Sequence, residues 1–205
     1  MKNYNGVIDE LINGTWVSPS DQNHYGIPIK NIQILESVEG LESGLINKLH
    51  DNQKLLVVSD PFTHKAMGER IFKNLTGKIN VDEYIWEKPS SSIEGVDHLR
   101  EKLKNYDGMI AVGSGTVSDS IKYATFLEKK NYSVFATTPM NAYTTGTASI
   151  AFNGIKKSLV AHYAQGVFFD LNVLSHCPKR LTAAAFADVI CRTTAQVDWL
   201  MSHQL

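Results

Sequence analysis

The segment that decides the fold is Ala111-Val112-Gly113-Ser114-Gly115-Thr116-Val117-Ser118-Asp119-Ser120-Ile121-Lys122-Tyr123. It begins in the apolar run Gly108 to Val112, which reads as a buried strand, and turns through Gly113-Ser114-Gly115. Thr116 to Lys129 then has the spacing of a helix. Strand, glycine turn and helix in that order form the layout of a phosphate site. Two glycines let a backbone approach a pyrophosphate without Cβ obstruction, and the free N–H groups and positive end of the helix attract the anion. The pattern is GxGxxxD rather than GxGxxG, however, and a tight strand-to-helix turn accounts for glycines without any ligand. Thr116 and Asp119 stand at a capping-box spacing, which predicts that they satisfy N–H groups at the helix start. Lys122, one turn on, is expected on a solvated helix face.

Outward from this turn the same alternation repeats. On the N-terminal side, Ile27 to Leu35 and Lys54 to Asp60 read as strands. Glu39 to His50 is expected as a helix with Leu41, Leu45 and Leu49 on one face. Thr63 to Leu75 is expected as a helix with Ala66, Ile71 and Leu75 inward. Asn80 to Trp86 gives a further strand, and Ser92 caps a helix that buries Ile93, Val96, Leu99 and Leu103. On the C-terminal side, Ser133 to Thr138 is the next strand. Strand followed by helix, again and again, predicts an α/β domain whose parallel sheet is covered on both faces. Gly14 to Gly26 lacks periodicity and is expected as an irregular lead-in. After Pro178 the apolar residues Leu181, Ala184, Ala185, Ala187, Ile190, Ala195, Trp199 and Leu200 fall at helical spacing. The expected division is therefore an α/β domain over 1–177 and, over 178–205, the first helix of a truncated helical domain.

Composition excludes several classes. With 43% hydrophobic residues, 20% charged residues and a net charge of -1 over 205 residues, no summed field favours nucleic acid or an anionic membrane. The start has no apolar core of signal-peptide length and no apolar run approaches a membrane span, so a cytoplasmic location is expected. Cys177 and Cys191 are too few for a disulfide framework and read as reduced thiols.

Three stretches together resemble the sn-glycerol-1-phosphate dehydrogenase family, a branch of the superfamily holding iron-containing alcohol dehydrogenases and dehydroquinate synthase. They are GSGTVSDSIKY (113–123), TTPMNAYTTGTAS (137–149) and DLNVLSHCPKRLTAAAFADVICRTTAQVDW (170–199). In the last, Pro178, Arg180, Leu181, the alanine run, Asp188, Arg192 and Asp198-Trp199 carry the likeness. The resemblance implies a Rossmann-like fold, an NAD or NADP cofactor, and a small phosphorylated polyol or ketone as substrate. It places Gly113, Ser114, Gly115 and Thr116 at the pyrophosphate and Asp119 beside the nicotinamide ribose. It sets Thr137, Thr138, Tyr143 and Thr147 against the nicotinamide, and Asp60 at the adenosine ribose. An acid there would repel a 2′-phosphate and lean the choice towards NAD.

Asp188 matches the first ligand of the family's catalytic zinc or iron, whose two histidine ligands come from further along the chain. None of the seven histidines here falls at those positions, so a metal is expected only if the missing ligands are supplied. The substrate loop also departs from the family's Met-Asp-Gly-Tyr, reading Met140-Asn141-Ala142-Tyr143. Asn141 keeps the size and loses the negative charge. Asn141 and Lys157 are the substrate-binding candidates by resemblance. Two other readings stand beside the dehydrogenase portion: a non-catalytic nucleotide-binding or interaction protein derived from the same stock, and a dehydroquinate synthase-like cyclase. The apolar face of the last helix further suggests a homodimer.

Overall fold

A computed structural model describes residues 4–204. In chain order the elements begin with α1 (Tyr4–Asn13), β1 (Trp16–Val17), β2 (His24–Tyr25), β3 (Asn31–Leu35), α2 (Glu42–Asn47) and β4 (Leu55–Ser59). They continue with α3 (Pro61–Thr63), a π-helical turn (His64–Gly68), α4 (Glu69–Leu75), β5 (Val81–Ile85), α5 (Ile93–Leu103), β6 (Gly108–Gly113), α6 (Gly115–Leu127) and β7 (Asn131–Ala136). The last are a short 3₁₀ turn (Ala142–Thr144), β8 (Thr147–Phe152), β9 (Ile155–Val160), β10 (Gly166–Asp170), α7 (Leu171–Ser175) and α8 (Lys179–Gln204).

Six strands form one parallel sheet in the order β3-β10-β7-β6-β4-β5. Strand alternation divides its side chains into two cores. Leu56, Val58, Met109, Ala111 and Val134 point to the side covered by α5 and α6, where they meet Val96, Leu99, Leu103, Val117 and Ile121. Leu55, Val57, Ile110, Val112 and Phe135 point to the opposite side, against Ile46, Met67, Ile71 and Leu75 of α2, the π turn and α4. Burial on both faces explains why the central strands are continuous apolar runs.

Several expectations are corrected. The lead-in is ordered: α1 precedes a two-stranded β1–β2 hairpin, with Trp16 opposite Tyr25. Leu41 is exposed, because the helix starts after it and Ile46 takes the inward place. Ala66 is also exposed and Met67 buried, since the π turn inserts an extra residue and rotates the inward face. Gly166–Asp170, which the period analysis did not read as a strand, lies inside the sheet between β3 and β7. The β8–β9 antiparallel hairpin was likewise not anticipated. After Pro178 the helix forms as expected, but of its 26 residues Ala185 is the buried one, while Trp199 stands 68% exposed. Among the described residues no helix is long and apolar enough to cross a membrane.

Candidate functional site

A cleft of about 770 Å3 opens beyond the carboxyl ends of β4, β6 and β7, between α3, the start of α6 and the α7–α8 corner. That volume falls within the range of roughly 300–1,000 Å3 for ligand clefts. Ligands in open α/β sheets bind at such strand ends. Asp60, Ser114, Thr116, Thr137 and Thr138 all line it, so the structure brings together five of the residues singled out from the sequence.

The floor of the cleft is the N-terminus of α6. Ser114 is extended and makes no side-chain cap, and no acidic residue stands in the first turn of this 13-residue helix. The expected capping box between Thr116 and Asp119 is therefore absent. Asp119 instead accepts the Ser149 N–H at 3.1 Å and Lys122 Nζ at 3.3 Å. With no carboxylate in its own first turn, the positive end of α6 opens on the cleft, whose other walls carry Asp60 and Glu87. Beside it, the Thr137 hydroxyl is buried without a hydrogen-bond partner. A buried unpartnered hydroxyl costs about 1–3 kcal/mol, and a polar ligand atom in the cleft would relieve it.

The two glycines act differently. A Cβ on Gly113 would come within 2.8 Å of Val117 Cβ, so this glycine lets the strand end pack tightly against α6. A Cβ on Gly115 would meet nothing closer than Met140 at 3.6 Å. Neither glycine is among the residues lining the cleft; what they supply is the close turn that aims the helix at it.

Behind this floor lies a second set of predicted residues, which support the cleft from inside. Tyr143 is fully buried. Its hydroxyl donates to the Gly113 carbonyl at 2.9 Å and accepts from Thr138 Oγ1 at 2.6 Å, and burial pushes its pKa well up, so it stays protonated. Lys122, expected in solvent, is 0% exposed. Its Nζ donates to the carbonyls of Ala142 (2.7 Å) and Thr147 (2.8 Å) and to Thr145 Oγ1 (3.2 Å), besides its contact with Asp119. Burial pulls its pKa below the ordinary lysine value against the counter-pull of Asp119. One turn of α6 thus clamps the loop from Ala142 to Ser149. Thr147 has an exposed side chain and contributes its carbonyl to this clamp. Asn141 is half-buried, with its carbonyl accepting from Thr144, and Ala142 starts the 3₁₀ turn without needing a positive φ.

Asp60 caps α3. Its Oδ1 accepts from the N–H groups of Phe62 (2.8 Å) and Thr63 (2.9 Å), and Thr63 Oγ1 answers the Asp60 N–H. Sequence reasoning passed over Phe62, Asn172 and Cys177, which also line the cleft. It also passed over Asp170, which orients the α7 wall. That carboxylate is fully buried; burial would raise its pKa, but Arg70 at 2.6 Å and the N–H groups of Val38 and Val173 hold it below the ordinary range. Its signal was Asp170 before a helical run, an N-cap position.

The family described as iron-containing alcohol dehydrogenase matches residues 34–178, well over half of the chain. The chain belongs to the iron-containing alcohol dehydrogenase family. Glycerol-1-phosphate dehydrogenase [NAD(P)+] of Geobacillus thermodenitrificans is 28% identical over 195 residues, which cover 88% of this chain and 46% of that protein. The enzyme of the same name from Pyrococcus abyssi is 30% identical over 166 residues, covering 80% and 47%. The chain therefore spans about half the length of the curated relatives it matches. The fold is similar to that of maleylacetate reductase from Agrobacterium tumefaciens, with a TM-score of 0.67 at 17% identity, covering 77% of this chain and 45% of that one. It is equally close to NADH-dependent butanol dehydrogenase A from Thermotoga maritima, at 0.67, 18% identity, 78% and 47%.

A metal is implied by this family's name, and the described residues do not fit one by themselves. They contain no group of three His, Cys, Asp or Glu side chains that could hold an ion. Asp188 lies on α8, nearly half exposed, with Oδ2 3.7 Å from Arg192 one turn on. Lys157 is on the exposed strand β9, its Nζ 5.8 Å from the Phe152 ring centroid, and does not line the cleft.

Proposed function

We propose that this chain is the cofactor-binding portion of an NAD(P)-dependent dehydrogenase that acts on glycerol 1-phosphate or a related phosphorylated polyol. Residues 1–177 are the dinucleotide domain, and 178–205 are the opening helix of a helical domain that carries the metal ligands. The observation that carries this reading is the uncapped N-terminus of α6 beside the unpartnered Thr137 hydroxyl, both in one cleft at the carboxyl ends of the strands. The substrate follows from the name shared by the curated relatives.

In this arrangement Ser114 and Thr116 receive the pyrophosphate, with the helix N-terminus supplying N–H groups and a positive potential. Thr137 and Thr138 meet the nicotinamide end across β7. A nicotinamide held there would supply a hydride acceptor for the hydroxyl-bearing carbon of the substrate. Tyr143, Lys122 and Asp119 hold the loop that backs this end. The Asp60 carboxylate, already fixed by its cap bonds, faces the adenosine ribose and disfavours a 2′-phosphate, so NADH is the preferred cofactor. By its likeness to the family, Asp188 would be one carboxylate ligand of such a metal. Asn141, in place of the acid that the family carries there, favours a second reading, a nucleotide-binding protein without catalysis.

Calorimetric titration tests the shared core of both readings. NADH is expected to bind with a dissociation constant at or below about 1 mM and more tightly than NADPH. Absence of both heat and thermal shift at millimolar NADH overturns both. Turnover of glycerol 1-phosphate by a protein carrying this chain together with a metal-ligating helical domain separates the enzyme from the non-catalytic protein.

A further inference from the structure

Among the described residues Phe62 is the most exposed of the large apolar side chains, at 87%, and it stands on the wall of the cleft. Ordinary helix packing does not put it there. It occupies the first turn of α3, where Asp60 Oδ1 binds its N–H and fixes the backbone that carries its ring. Its sequence neighbours find uses that it lacks: Pro61 starts the helix and Thr63 is buried in the capping box.

The strand order says which part of a dinucleotide reaches this wall. From β6 the sheet runs in one direction to β7, which ends in Thr137 and Thr138, and in the other to β4 and β5. A pyrophosphate seated at the start of α6, next to the end of β6, must send its two nucleosides to opposite sides. One lies over β7. The other lies one strand away in the opposite direction, about 4.8 Å across the sheet, where β4 ends in Asp60 and Phe62 follows. A ribose beside Asp60 leaves its base over the next exposed surface, and that surface is an aromatic face. Every nucleobase presents a π-face that stacks on such a ring.

We propose that Phe62 is the platform on which the adenine of the bound dinucleotide stacks, with Asp60 holding the adjoining ribose. This rests on the dinucleotide reading of the cleft and deepens it: α3 recognises the adenosine half of the cofactor through a ring and a carboxylate two residues apart.

The test is calorimetric titration of the 205-residue chain and of Phe62→Ala and Phe62→Tyr with two probes, NADH and reduced nicotinamide mononucleotide, which lacks the adenosine. Because the ring is exposed, Phe62→Ala is expected to fold and melt like the parent. Its affinity for NADH is expected to fall about 5- to 30-fold. Phe62→Tyr, which keeps the stacking face, should stay within about twofold of the parent, and the mononucleotide should bind parent and variants alike. Undiminished NADH binding by Phe62→Ala overturns the stacking proposal while leaving the dinucleotide reading standing. Equal weakening of both probes overturns it too, since the loss would not be specific to adenine. A parent chain that fails to bind NADH overturns both.

Discussion

Lys122 carries more structure than its sequence position suggests. A buried ammonium has a high desolvation cost unless donors are used up, and here Nζ is shared among two carbonyls, one hydroxyl and one carboxylate. Replacing it with methionine keeps most of the volume and removes every one of those bonds. The carbonyls of Ala142 and Thr147 would then keep only weaker contacts from the Thr145 hydroxyl, and Asp119 only the Ser149 N–H. Lys122→Met is expected to destabilise the fold by about 3 kcal/mol, read from urea unfolding. Hydrogen exchange over 142–149 should rise ahead of the rest of the chain. An unchanged urea midpoint would show that the clamp is dispensable. Sequence alone gave no access to this residue. A lysine on a helix usually reaches water, and apart from Asp119 its partners lie 20 to 25 positions away in a loop whose course no period reveals.

At the scale of elements, the packing of α6 on the end of β6 sets where the helix N-terminus points. The limiting contact is Gly113 against Val117, where a Cβ would approach to 2.8 Å. Gly113→Ala is expected to cost about 1–3 kcal/mol by displacing the helix start. The double variant Gly113→Ala/Val117→Ala should lose less than the sum of the two single changes, because the crowding partner has been removed. Additive losses in this cycle would mean that the two residues do not meet. The strand, turn and helix here were legible because the apolar run, the glycines and the helical spacing are all local. The inward residues of the helices were less so. Ala66 was misassigned because one π turn shifts the phase, and Leu41 because the helix begins one residue later than its leucine spacing suggests.

For the whole molecule, the layout of two cores on a parallel sheet could be read from alternating strands and helices, whereas the place of β10 could not. Gly166–Asp170 is a short run that follows a hairpin, and its position between β3 and β7 is a matter of long-range pairing. Global stability should also depend on pH. His50 is buried, with Nε2 2.7 Å from Ser133 Oγ and Nδ1 2.9 Å from Gln53 Oε1, joining the end of α2 to β7. Burial lowers its pKa against the bond to Gln53, and burial with nearby Lys122 lowers that of His162. The folded state therefore keeps these imidazoles neutral while the unfolded chain protonates them near pH 6.5. Their full stabilisation is present above that pH and is lost as the pH falls below it, levelling off beneath the folded-state values. One such proton gives a slope of at most about 1.4 kcal/mol per pH unit. His50→Gln should flatten the pH dependence of the urea midpoint between about pH 5 and 7, leaving the share due to His162; an unaltered profile would remove His50 from this role.

The central claim is that a dinucleotide crosses the end of β6 with its phosphates on the start of α6. Hydrogen–deuterium exchange with and without saturating NADH tests it most directly. The account predicts slowed exchange at 114–117, 137–138 and 62–63, the three backbone stretches around the cleft. No slowing there, or protection confined to other surfaces such as the β8–β9 hairpin, would contradict it.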